Sequence, residues 1–149
     1  MKRFQILFLL CLALSFTFSI FAQDTKEVII LQTSDVHSRI EPINQKGDRY
    51  YNKGGFVRRA AFLEEFRKDH KNVLLFDCGD ISQGTPYYNM FRGEVEIKLM
   101  NEMGYDAMTI GNHEFDFDVD NMARIFKMAD FPVVCANYNL DATVLKDIV

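Results

Sequence analysis

The sequence runs to 149 residues, the length of one ordinary domain, which can bury a sound core and leaves no room for a multi-domain architecture. Its formal net charge is −4, and an acidic chain lacks the basic surface that nucleic-acid phosphates select.

In chain order, Met1, Lys2 and Arg3 precede an apolar run over residues 4–21, broken only by Gln5, Ser15, Thr17 and Ser19. A basic start, an apolar stretch and a small closing residue, Ala22, are the grammar of a secretory signal peptide. Residues 1–22 are therefore expected to be that peptide, with a mature chain from Gln23 over residues 23–149. An uncleaved membrane anchor is the competing reading, because the run approaches the roughly 17–25 residues that span a bilayer. Cys11 lies inside the run behind Leu9 and Leu10, without the small residue that lipid modification needs. Both readings place the chain outside the cytoplasm, periplasmic or extracellular, with a membrane as partner only through an uncleaved segment. Without Lys2 and Arg3 the chain keeps 15 basic and 21 acidic residues, a net charge of −6. Cys78 and Cys135 then remain, too few for a disulfide scaffold and without Cys-x-x-Cys spacing; buried thiols are expected, although an oxidising compartment permits one bridge.

From Glu27 onward, short apolar runs alternate with amphipathic ones. Strands are expected over residues 28–31, 73–76, 107–110 and 133–136. Between them, Phe56, Ala60, Leu63 and Phe66 form one helical stripe, Val95, Leu99 and Met103 a second, and Met122, Ile125, Phe126 and Ala129 a third. Gly104 closes the second helix and Pro132 bars the third from running into the last strand. Strands separated by helices imply an α/β fold, a mostly parallel sheet reached by βαβ crossovers and covered by helices on both faces. The polar segment over residues 38–53 is longer than a connector needs, which marks a functional or mobile loop.

Chemistry-bearing residues follow the first three strands at once: Asp35 and His37, then Asp80 after Gly79, then Asn112, His113 and Glu114 after Gly111. The carboxyl ends of parallel strands share one edge, so residues distant in sequence converge there. Any one of them has a bland explanation. An Asp after a strand often caps a helix or makes a turn, and a lone His is more often surface or core. Three such sets at successive strand ends, holding two of the three histidines, point instead to a metal centre. His70 reads as a solvated helix end. Mixed carboxylate, imidazole and amide donors suit zinc, manganese or iron. Two such ions roughly 3.5–4 Å apart hold a phosphate oxygen and an acidified water, the apparatus of hydrolysis. Asp116, Asp118 and Asp120 alternate like a calcium loop, but Asn121 and Lys127 occupy the positions where that loop needs Gly and Glu. Asp118 or Asp120 reads better as a helix N-cap.

The strings Thr33-Ser34-Asp35-Val36-His37-Ser38-Arg39, Asp77-Cys78-Gly79-Asp80-Ile81-Ser82-Gln83-Gly84 and Gly111-Asn112-His113-Glu114-Phe115-Asp116 resemble the calcineurin-like metallophosphoesterases, and within them the 5′-nucleotidases. Gly54-Gly55, Tyr105-Asp106-Ala107-Met108 and Phe131-Pro132 add to the match. Many relatives carry Gly where Ser38 stands. The resemblance implies a metal-dependent nucleotide hydrolase, a 5′-nucleotidase or cyclic-nucleotide phosphodiesterase, acting on a nucleotide or other phosphoester. It implies Asp35 and His37 on a first metal, Asp80 bridging, and Asn112 on a second metal and the substrate phosphate. His113 would stabilise phosphoryl charge or protonate the leaving group, oriented by Asp116; Glu114 and Arg39 fall outside that catalytic set. Two divalent ions, zinc or manganese, are implied for the complete enzyme.

In that family further histidines from the second half of the sandwich complete both metal sites, and a separate domain holds the nucleoside. No histidine follows His113 here. The expected fold is thus the amino-terminal portion of a metallophosphoesterase sandwich, with its missing second half as a partner. Such a chain would hold at most one metal well, show weak activity and expose apolar surface. The competing functions are a catalytically incompetent fragment and an exported module that binds one metal without turnover.

Overall fold

The structure, a computed structural model, describes Gln5 and residues 25–149. The expected signal peptide, its cleavage point at Ala22 and Cys11 lie outside the described residues. Among those described, no helix is long and apolar enough to cross a membrane.

Four strands, β1 (Ile29–Thr33), β2 (Val73–Asp77), β3 (Ala107–Thr109) and β4 (Val133–Val134), form one sheet in the order β1-β2-β3-β4. Every neighbouring pair is parallel, with Leu31 opposite Leu75, Asp77 opposite Met108 and Met108 opposite Val133. The connections carry α1 (Phe56–Asp69), then α2 (Pro86–Phe91) with α3 (Glu94–Met103), then α4 (Val119–Phe126). Each expected strand and helix is present. The short α2, opened by Pro86 in the first turn, was not among the expected elements. Gly104, at φ 65°, ends α3, and the Asp118 carboxylate accepts from the Asn121 amide at 2.6 Å to cap α4. That bond settles which aspartate is the cap.

The expectation of helices on both faces is corrected. Phe56 and Leu63 of α1, Ile97, Met100 and Met103 of α3, and Met122, Ile125 and Phe126 of α4 join Leu75, Met108 and Val133 in a single core. Paired residues of a parallel sheet share a face, so these three strand residues and Leu31 mark the covered one. The opposite face carries Ile30 (63 % exposed), Leu74 (37 %) and Val134 (51 %). Strand order explains this: right-handed crossovers that always step in one direction put every connecting helix on the same side. The expected exposure of apolar surface is thus observed. The stripes shift accordingly. Ala60 is exposed beside an open groove of about 630 Å³ between α1 and α3, and Ile97 and Met100 lie deeper than Val95 and Leu99.

The cysteines are corrected as well. Cys78 is exposed, Cys135 is half-buried, and both are free. Cys78 follows the buried Asp77, so strand alternation sends it to the uncovered side. His70 ends α1, its ring 4.2 Å from that of Phe66.

Candidate metal centre

Beyond their last strand residues, the segments after β1 and β2 remain paired. Cys78 donates to the Thr33 carbonyl at 2.8 Å, Asp35 to Gly79 at 3.1 Å, His37 to Asp80 at 3.0 Å and Ser38 to Ile81 at 2.8 Å. Asp35, His37 and Asp80 all take left-handed backbone, with φ of 53°, 44° and 58°. Non-glycine residues in that region cost of order 1–3 kcal/mol each and cluster at functional sites. Here the three are among the four residues expected as metal ligands, and Asn112, at φ −76°, is the one without this strain.

The third segment is driven against the second by two glycines. A Cβ on Gly79 would meet the Gly111 nitrogen at 2.5 Å, and one on Gly111 would meet the Asp80 Oδ1 at 2.2 Å. Glu114, 1 % exposed, locks this contact: its Oε2 accepts the amides of Asp80 (3.0 Å) and Gly111 (2.6 Å), and its Oε1 that of Ser82 (3.2 Å). Sequence reasoning left Glu114 without a role. Its signal was position, directly after His113 in a segment where every neighbour has work to do.

One ring nitrogen each of His37 and His113 and a carboxylate oxygen of Asp80 lie within 4.8 Å of one another. The imidazoles stand edge-to-face, centroids 5.0 Å apart. His37 Nδ1 is 3.1 Å from the Ser82 carbonyl, which only accepts, so Nδ1 is the donor of this bond. His113 Nδ1 meets Asp116 Oδ2 at 3.0 Å, and its amide donates to Asp80 Oδ1 at 2.9 Å. Asp116 acts on the imidazole first through this hydrogen bond, raising the His113 pKa above the ordinary histidine value. Asp35 Oδ1 stands 4.0 Å from His37 Nε2, and Asn112 begins the 3₁₀ turn His113–Phe115. Both are exposed. Arg39, also exposed, lines a separate small cleft with Glu41 and Tyr87.

The donor set suits a divalent cation. Imidazole nitrogens held by a second partner on Nδ1 are the usual form of metal-binding histidine. A spread of 4.8 Å is wider than the roughly 3.4 Å between donors around a tetrahedral ion bonding at about 2.0–2.2 Å, so the donors would draw together around it. Beneath the site, Asp77 is buried and receives Thr33 Oγ1 at 2.5 Å and the Gly79 amide at 2.9 Å. Burial, outweighing those bonds, lifts its carboxyl to about 6.

Comparison with known proteins agrees with this geometry. The chain is 39 % identical over 126 residues to the snake venom 5′-nucleotidase of Gloydius brevicauda, covering 82 % of this chain and 21 % of that one. It is 39 % identical over 116 residues to the Homo sapiens 5′-nucleotidase, covering 74 % and 20 %. The crystal structure of a 5′-nucleotidase precursor from Thermus thermophilus superposes with a TM-score of 0.73 at 35 % identity, over 81 % of this chain and 24 % of that one. A Haemophilus influenzae NAD nucleotidase follows at 0.71 and 32 %, over 81 % and 22 %. The chain thus spans about a fifth of the length of the curated relatives it matches. The profile of the calcineurin-like phosphoesterases matches residues 28–146, nearly the whole described chain and every residue of the cluster, and the chain belongs to that family.

Proposed function

We propose that this chain supplies the first part of the metal-binding edge of a nucleotide phosphoester hydrolase working outside the cytoplasm. One observation carries the reading: three loops from three consecutive strands bring His37, Asp80 and His113 within 4.8 Å. In it Asp35 and His37 would hold a first metal, Asp80 would be shared with a second, and Asn112 would serve the second and the substrate phosphate. Two divalent ions, zinc or manganese by the donor chemistry, would supply Lewis acidity and a water that ionises near neutral pH. His113 would present Nε2 to the leaving oxygen as general acid while Asp116 holds its Nδ1, a hydrogen bond that raises the imidazole pKa. Nucleotides are the substrate class because the relatives are 5′-nucleotidases and an NAD nucleotidase. Export follows from the signal grammar of residues 1–22 and a venom relative.

A second reading, one bound ion without turnover, is favoured by a single count. His37, Asp80 and His113 form the only group of three or more such side chains among the described residues. Metal analysis and a nucleoside monophosphate hydrolysis assay on the purified chain separate the two, run alone and with the following segment of a full-length relative added in trans. Hydrolysis only with the added segment, and a second ion bound with it, supports the hydrolase. Metal uptake that His37→Ala and Asp80→Ala leave unchanged refutes both readings.

A further inference from the structure

Behind His37 lies a polar cluster that the proposed chemistry does not use. Ser38 and Glu96 are fully buried and Thr85 is 8 % exposed. Ser38 follows His37, shares its left-handed backbone at φ 51°, and is tied by its amide to Ile81. The Thr85 hydroxyl donates to the Ser38 carbonyl at 2.9 Å, the Ser38 and Thr85 hydroxyl oxygens meet at 2.7 Å, and Ser38 Oγ meets Glu96 Oε1.

These three contacts need three protons, and the two hydroxyls own two. The carbonyl can only accept, so the Thr85 proton is committed to it. Each contact then has its own proton only if Ser38 donates to Thr85 and Glu96 carries the third; an ionised Glu96 would take the Ser38 proton and leave two hydroxyl oxygens 2.7 Å apart with none between them. We infer that Glu96 is a positioning residue that stays protonated near neutral pH, donating to Ser38 and so completing a proton chain that fixes the His37–Ser38 backbone at the metal centre.

The surroundings agree. Glu96 Oε2 is buried without a partner, affordable for a carbonyl oxygen and expensive for half of an anion. Burial raises the Glu96 pKa, outweighing the bonds that Ser38 and the Glu96 backbone amide would give to an ionised carboxylate, and no cation acts on the carboxyl. Burial first, and then the charges of Asp116, Glu114 and Glu96, raise the pKa of Tyr88 in α2, so the charges around the cluster are acidic.

The inference that the chain positions His37 rests on the metal reading; the proton count does not. The test uses the full chain with ¹³C-labelled glutamate, which leaves Asp77 silent. The expected infrared result at pH 7.5 is one neutral glutamic acid carbonyl, absent from Glu96→Gln. Cobalt(II) titration, read by its absorption, is expected to give unchanged affinity for Glu96→Gln, whose amide replaces the acid as donor. Glu96→Ala and Ser38→Ala should each weaken cobalt binding by about tenfold, the usual loss when a ligand's support is removed. A wild-type chain with no neutral glutamic acid overturns the proton chain, and this needs no variant to fold. Wild-type cobalt affinity in Ser38→Ala and Glu96→Ala overturns the positioning role. A wild-type chain that takes up no cobalt refutes the metal reading and the positioning role with it, while the carbonyl signal still decides the proton.

Discussion

Glu114→Ala tests whether one buried carboxylate holds the candidate centre together. The substitution removes the acceptor for three amides, those of Asp80, Gly111 and Ser82. A buried donor left unpaired costs about 1–3 kcal/mol, and Asp80 is only half-buried, so water can reach its amide. The expected loss is about 4 kcal/mol, a large share of the roughly 5–15 kcal/mol that stabilises a domain. Glu114→Gln separates the oxygens. An amide oxygen in the Oε2 position still accepts from Asp80 and Gly111, and its NH₂ turns a donor toward Ser82 N–H. That variant should lose about 1.5–3 kcal/mol, one orphaned donor rather than three. Urea denaturation of the metal-free chain measures both, and amide exchange should quicken at Ser82 in the Gln variant and at all three amides in the Ala variant. A loss below about 1 kcal/mol for Glu114→Ala, or equal losses for the two, would refute the clamp.

Four further outcomes follow from the same geometry. Gly111→Ala places a Cβ 2.2 Å from Asp80 Oδ1, and Asp80 must retreat by about 1 Å to regain ordinary contact; cobalt affinity should fall tenfold or more, and an unchanged titration would contradict the close packing. Asp77 is raised from its usual 3.8 to about 6, so the folded state favours its protonated form: this contribution is complete below about pH 4 and is lost as pH rises through 6. That swing is about 3 kcal/mol, and Asp77→Asn should flatten stability between pH 4 and 7 in denaturation series. Asp116→Asn should lower the His113 pKa toward the ordinary imidazole value, followed by NMR titration of the metal-free chain; an unmoved titration would dissociate Asp116 from His113. The bare sheet face predicts self-association, which Ile30→Lys with Val134→Lys should weaken roughly a hundredfold, since two such side chains carry about 3 kcal/mol of burial; sedimentation that shows no change would absolve that face.

Much of the site was legible because its residues sit where strands end. An apolar run followed at once by Asp or His needs no knowledge of packing to be placed at the carboxyl edge of a parallel sheet, and His37, Asp80 and His113 were found that way. What escaped were groups whose meaning is a contact. Glu114 looks like any acid in a loop until its two oxygens are seen to hold three amides. Glu96 lies outside the apolar stripe of its helix and drew no expectation, yet it is fully buried against Ser38. The bare sheet face was misread for a topological reason, because apolar alternation in Ile30 and Leu74 says that both faces are apolar without saying what covers them. Helix α2 was hidden by Pro86, which opens a first turn as readily as it breaks a run.

The strand order ties the site to that bare face. Parallel strands put the three loops with candidate ligands on one edge, and crossovers stepping always one way put every helix on one side, so the edge inherits the asymmetry of the sheet. On the helix side its supports are dry: Asp77, Ser38, Glu96 and Glu114 are each 2 % exposed or less. Its outer residues are wet, with the Asp35 side chain 66 % exposed and Asn112 open to solvent. A cation held from one side competes with water for its remaining positions, and Asp35, in high dielectric, attracts it several-fold less than a buried carboxylate would. Cover over the outer side would therefore raise affinity even without adding a ligand, by lowering the dielectric around donors that the helix side has already fixed in place.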